Sequence, residues 1–151
     1  STAAAAVLRE MVPGTLYVVG PGTSAGTVML AAGHTPTTLG TDAMLDGQVV
    51  ALDASATTLD TLAADRPVKL ILGVTGQQGF LLGRGNQQIS PTLIARAGPK
   101  GLIVLATESK LASLAQPRLW VDTGDTVLDN AMSGFIRVRT SANRQMVMRI
   151  G

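Results

Sequence analysis

Leu16-Tyr17-Val18-Val19 runs without a spacer into Gly20-Pro21-Gly22-Thr23-Ser24-Ala25-Gly26. A short apolar strand, a glycine turn and a small-residue helix in direct succession constrain the fold more than any other feature of the chain. The spacing predicts a strand over 16–19 and a helix over 25–32, ended by Gly33. The strand has no polar alternation and reads as buried.

The flanking sequence agrees with that unit. Residues 3–11 read as an Ala-rich helix, stopped by Pro13 and Gly14. Asp46-Gly47 suits a type I′ turn and predicts a hairpin between 39–45 and 48–52. A helix is expected over 55–64, with Ser55 as its cap, and a strand over 68–72. A second glycine-rich stretch then carries Gly73, Gly76, Gly79, Gly83 and Gly85. Ser90-Pro91 starts another helix, with Pro91 at its first position and Gly98 as its stop. A strand over 102–105, a short helix over 109–115, a strand over 119–121 and a helix over 126–132 capped by Asp125 follow. The chain closes on a hairpin, 135–140 and 145–150. Strands alternate with helices, and two hairpins interrupt them. The expected class is α/β (mixed α+β): one domain with a mixed sheet, two β-hairpins and short helices packed against it. Residues 1–14 are expected to form a helical lead-in and 15–151 the domain proper.

Composition narrows the function classes. A length of 151 residues fits one domain. With 46% hydrophobic and 15% charged residues, the chain is not disordered. Only 3% of residues are aromatic, which speaks against a stacking platform for nucleic acid. There is no cysteine and a single histidine, His34, so a zinc site is not expected and no metal ligands are assigned. No apolar run reaches the roughly 18 residues of a membrane span. Residues 1–6 lack the basic and apolar regions of a signal peptide, so the cytoplasm is the default expectation. The net charge is +2. Arg137, Arg139, Arg144 and Arg149 fall among the last 15 residues with no acid between them. They form either a phosphate-attracting strand pair or a solvated hairpin face.

Three stretches are candidates for chemistry. In Gly20-Pro21-Gly22-Thr23-Ser24, a glycine turn before a helix aims backbone N–H groups at one spot, where the helix end favours an anion. The competing reading is a tight turn with an N-cap. No Lys-Ser/Thr pair follows, so this is not a Walker loop. In the run from Gly76 to Gln87, the side chains of Gln77, Gln78, Arg84, Asn86 and Gln87 sit among Gly76, Gly79 and Gly85. Such glycines let a ligand approach the backbone, amides suit sugar or base edges, and Arg84 suits phosphate. A structural loop is the alternative. Asp122-Thr123-Gly124-Asp125, with Asp129 one turn on, offers carboxylates for a general base or a hydrated cation. The favoured reading is structural: Asp125 caps a helix and Asp122 satisfies a turn. Asp42, in Gly40-Thr41-Asp42, is a further candidate.

These stretches carry a resemblance. The run from Val18 to Gly151 resembles the C-terminal part of ATP-NAD kinase-like proteins, in the branch associated with acetoin-catabolism gene clusters. The markers are Gly20-Pro21-Gly22-Thr23, Leu39-Gly40-Thr41-Asp42, Gly76-Gln77-Gln78-Gly79-Phe80, the long run Gly83-Arg84-Gly85-Asn86-Gln87-Gln88-Ile89-Ser90-Pro91, Ala106-Thr107 with Lys110-Leu111, and Val121-Asp122-Thr123-Gly124-Asp125. The resemblance implies a kinase that phosphorylates NAD from ATP with Mg²⁺. Its nucleotide motif, Gly-Gly-Asp-Gly, belongs to an N-terminal domain and is absent from these residues. The implied partner is therefore an N-terminal kinase domain in the same or another chain, and this chain alone is not expected to catalyse transfer. The segment similar to the family's Thr-Pro-x-Gly-Ser-x-Ala-Tyr is Gly73 to Phe80, without that Pro, Ser or Tyr. Asp53-Ala54-Ser55-Ala56 lies nearest to the family's Asn-Glu/Asp pair. The implied ligand contacts are Gly20, Gly22, Thr23, Ser24, Asp42, Gly76, Gln77, Gln78, Gly79, Arg84, Gly85, Asn86 and Gln87. The ligand is a small nucleotide or phosphorylated metabolite. Two other readings stand beside it: a sugar-phosphate enzyme using Asp122 or Asp125 as acid/base, and a free-standing or oligomerisation domain, possible as a homo-oligomer, with no kinase activity.

Overall fold

The computed structural model describes residues 2–151. Its elements in chain order are α1 (Ala3–Glu10), β1 (Leu16–Val19), α2 (Thr23–Ala31), β2 (Asp42–Leu45), β3 (Gln48–Ala51), α3 (Ala56–Ala63), β4 (Val68–Leu72), β5 (Phe80–Leu82), α4 (Pro91–Ala97), β6 (Leu102–Val104), α5 (Glu108–Ala112), β7 (Arg118–Val121), α6 (Thr126–Ala131), β8 (Gly134–Arg139) and β9 (Gln145–Ile150). The mixed α/β class holds, but the strands divide between two sheets instead of joining one. The first has the order β3-β2-β1-β4-β6 and the second β5-β7-β9-β8.

In the first sheet β1, β4 and β6 run parallel, and β2 and β3 close it with an antiparallel hairpin. The turn of that hairpin places Asp46 at φ 52° and Gly47 at φ 77°, the two positive values a type I′ turn requires. The second sheet pairs β5, β7 and β9 in parallel and β8 against β9. One bridge, Leu105 to Arg139, links the two sheets, and the Ala106 N–H donates to the Arg139 carbonyl at 3.1 Å.

Burial of β1 on both faces follows from its position in the middle of the first sheet. Tyr17 and Val19 face α1 and α2, where they meet Ala4, Val7, Ala25, Val28 and Met29. Leu16 and Val18 face the other way, into a larger core. That core combines Leu59 of α3, Leu93 and Ile94 of α4 and the inner side chains of the second sheet, Leu81, Leu119, Val138, Met148 and Ile150. Packing of α1 onto α2 thus makes residues 3–10 part of the same body.

Polar side chains set the helix starts. Thr2, Ser55, Ser90, Thr107 and Asp125 each accept a backbone N–H from the first turn of α1, α3, α4, α5 and α6. The helix boundaries expected from sequence agree to within two or three residues. The strand β5 was not expected: its three apolar residues are short and flanked by Gly79 and Gly83, so they read as part of a glycine loop. Leu39 to Thr41 are not strand, and the Leu39 side chain is solvent-exposed.

Candidate anion-binding crevice

The chain leaves β1 for α2 and its sheet neighbour β2, and leaves β4 first for β5 in the second sheet before returning to β6 on the other side, so the loops after these neighbouring parallel strands part. A crevice at the carboxyl ends of such strands is where open α/β sheets hold ligands. The loops are close: the Gly20 N–H donates to the Ile71 carbonyl at 2.9 Å, and a Cβ on Gly73 would lie 3.6 Å from the Ser24 Cβ. The space between them is about 300 Å³. Pro21 to Ser24 form one wall, Gly73 to Thr75 the other, and Lys110 of α5 stands at the rim. No acid lines it.

Among the α-helices of the described residues, α2 alone starts without a side-chain cap. Its N-cap is Gly22 at φ 109°, and no acid lies in its first turn. The first-turn N–H groups of α2 therefore face the crevice with no protein side chain satisfying them, and the helix dipole adds partial positive charge. Lys110 supplies a full charge; its ammonium donates to the Gly76 carbonyl at 2.9 Å. This arrangement suits a phosphate or another compact anion.

The sequence candidates scatter around this crevice. Gly22, Thr23 and Ser24 line it, while Gly20 is buried just before them. Gly76, Gln77, Gln78 and Gly79 form a tight loop closed by reciprocal Thr75–Phe80 backbone hydrogen bonds of 2.9 and 3.0 Å. Gln77 and Gln78 are exposed at its tip, and the Gln77 carbonyl accepts the Ala115 N–H. Gly79 is buried against β7, where a Cβ would sit 2.8 Å from the Arg118 carbonyl oxygen. Gly85 lies over Thr75, its own Cβ position 3.9 Å from the Thr75 methyl. The Arg84 guanidinium stacks over the Phe80 ring at 4.7 Å and pairs with Asp122 at 3.2 Å, both partners about half exposed or more. Asn86 is 5% exposed and braces its own turn: it accepts from the Gly83 N–H and donates to the Leu81 carbonyl. Gln87 points to solvent on the same turn.

Asp42 lies apart from the crevice. Its carboxylate is 1% exposed and accepts the Thr37 N–H, the Thr37 hydroxyl and the Asp53 N–H, at 2.8, 2.6 and 2.9 Å. It ties the loop after α2 to the end of β3. Asp125 caps α6, and Asp129 accepts both the N–H and the hydroxyl of Thr123. Among the described residues no three metal-ligating side chains converge, and no helix is long and apolar enough to cross a membrane.

Lys110 is the site residue that the residue-by-residue reading passed over. Its signal was present as the cation three positions after the Thr107 cap, on the helix following a parallel strand.

A family model described as the ATP-NAD kinase C-terminal domain matches residues 15–150. Neither the curated proteins nor the solved structures yielded a match.

Proposed function

The chain belongs to the ATP-NAD kinase C-terminal domain family, and on that premise we propose that it is the ligand-binding part of a phosphotransferase. The ligand is NAD or a related phosphorylated metabolite, and its phosphate sits in the crevice between the loops after β1 and β4. One observation carries this reading: an uncapped helix start, a glycine loop and a lysine meet at the mouth of parallel strands with no acid among them. Thr23 and Ser24 add hydroxyl donors, and Lys110 neutralises the anion.

Phosphoryl transfer from ATP needs a Mg²⁺ ion to offset charge on the transferring group. The described residues do not fit that ion. No carboxylate lines the crevice, Asp125 is engaged as a helix cap, and Asp122 is paired with Arg84. The metal and the donor nucleotide are accordingly assigned to an N-terminal domain, in the same or another chain. Within the family, we propose the acetoin-associated branch, on the resemblance carried by the run from Gly83 to Pro91.

Titration calorimetry with NAD, ATP and inorganic diphosphate tests the binding claim. At least one is expected to bind wild-type protein and to lose affinity in Lys110→Ala; silence for all three overturns it. Incubation with ATP, Mg²⁺ and NAD tests the division of labour. No NADP is expected, and clear turnover refutes the assignment of chemistry to another domain.

A further inference from the structure

The arginines of β8 and β9 take no part in lining the crevice. They belong to the second sheet, whose inner face packs Leu119, Val138, Met148 and Ile150 into the shared core. Successive side chains of a strand point to opposite faces, so Arg118, Trp120, Phe135, Arg137, Val147 and Arg149 point outward together. Register fixes their pattern. Arg149 stands between Arg118 on β7 and Phe135 on β8, and Val147 stands opposite Arg137. Phe135 and Val147 therefore alternate with Arg137 and Arg149 as on a checkerboard, with cross-strand neighbours roughly 4.5–5.5 Å apart. The Arg149 guanidinium lies over the Phe135 ring at 5.5 Å, yet Phe135 is 72% and Val147 61% exposed.

Charge on this face has one sign. None of the four strands contains an acid. Arg139 pairs with Glu10 of α1, but among the described residues no carboxylate pairs with Arg118, Arg137 or Arg149. A second copy docked face to face would set arginine against arginine, so charge favours an anionic occupant over self-association. The aromatic residues are few but unevenly placed: all except Tyr17 lie on strands of this sheet, with Phe80 beside Trp120.

We propose that this outer face binds single-stranded nucleic acid, with phosphates on Arg118, Arg137 and Arg149 and a base stacked on Phe135. A single strand matches both halves of the checkerboard, because it carries unpaired bases with open faces along a line of phosphates. A duplex hides its base faces in the stack and gives Phe135 nothing to lie on. An anionic membrane would meet the arginines, but two exposed apolar side chains offer little to insert into lipid.

Fluorescence anisotropy with a labelled oligothymidylate about 12 residues long tests the proposal, a length within the roughly 4–16 nucleotides of a single-strand site. The wild-type chain is expected to bind it at low salt, tighter than a duplex of the same length, and to weaken as salt is raised. Arg137→Gln and Arg149→Gln, both at exposed positions, are each expected to lower the slope of log affinity against log salt by about 0.7. Phe135→Ala is expected to cost about tenfold at every salt concentration and to leave the slope unchanged. Inorganic diphosphate at matched ionic strength, directed at the crevice, is expected to leave the oligomer bound; displacement would put the oligomer in the crevice and overturn the proposal. No binding at low salt, equal or tighter binding of the duplex, or unaltered behaviour of the three variants overturns it as well. Capture by phosphatidylserine vesicles without binding of the oligomer would assign the face to a membrane and overturn it too.

Discussion

The two glycine-rich loops of this protein look alike in sequence and differ in what their glycines are for. In the first, Gly22 has nothing within 4 Å of its would-be Cβ, and its loop opens onto the crevice. In the second, a Cβ on Gly83 would lie 1.7 Å from the Asp122 carbonyl oxygen, because β5 is pressed against the chain just after β7. Gly22 leaves its backbone open to approach. At Gly83 the protein itself already occupies that space. Glycine density by itself does not distinguish a ligand cradle from a strand crossing; the neighbour of the missing Cβ does.

That contrast can be broken most directly at Gly83. Gly83→Ala is expected to force β5 from β7 and cost about 4 kcal/mol, in the range of severe steric and backbone defects. Urea unfolding monitored by circular dichroism measures it, and a loss below about 1 kcal/mol would mean that the second loop is as open as the first. Asn86→Ala comes next. It strands the Gly83 N–H and the Leu81 carbonyl and is expected to cost about 2 kcal/mol. Diphosphate affinity of the folded protein should not change; a large drop in affinity would return Asn86 to the ligand. Gly22→Ala meets no neighbour but must hold φ 109° and ψ 164°, a region essentially restricted to glycine, so its expected cost is about 2 kcal/mol. Unlike the first two, it is expected to weaken diphosphate binding, because its Cβ enters the approach to α2. Lys110→Ala has the smallest effect on stability, within about 0.5 kcal/mol. Its signature is in binding: an expected loss of about tenfold for diphosphate, equivalent to about 1.4 kcal/mol, shrinking as salt is raised. Unaltered affinity at low salt would remove the crevice's only charged group from the reading.

Much of the fold was legible because local chemistry and tertiary structure agree. Ser55, Ser90 and Asp125 cap the helices their positions announced, and Asp46-Gly47 makes the turn its φ preferences demand. The strand β5 was hidden because three residues between glycines carry no periodicity. The division into two sheets was hidden for another reason. Pairing of β5 with β7, and of β7 with β9, joins segments far apart in the chain, and nothing local encodes a parallel pairing. At the site, the strand-turn-helix unit was legible as an anion-site candidate, but the absent cap was not: the helix expected from Ala25 starts at Thr23, which makes Gly22 its cap residue. What arrives opposite it was not visible. Lys110 reaches the crevice only because α5 follows β6, and that adjacency is a property of the sheet order. The partners of Asp42 were equally invisible: an acid in a glycine-threonine setting looks available, and the fold gives its carboxylate three hydrogen bonds.

The single bridge between Leu105 and Arg139 has a mechanical meaning. The helix α5 is strung between β6 in one sheet and β7 in the other. Lys110 rides on that span, while the N-terminus of α2 is fixed to the first sheet alone. Sliding of one sheet past the other would therefore change the gap between ammonium and helix end, as the jaws of a caliper change with its slide. The bridge, the Arg139–Glu10 pair to α1 and the core the two sheets share all tie that gap to the packing of the sheets.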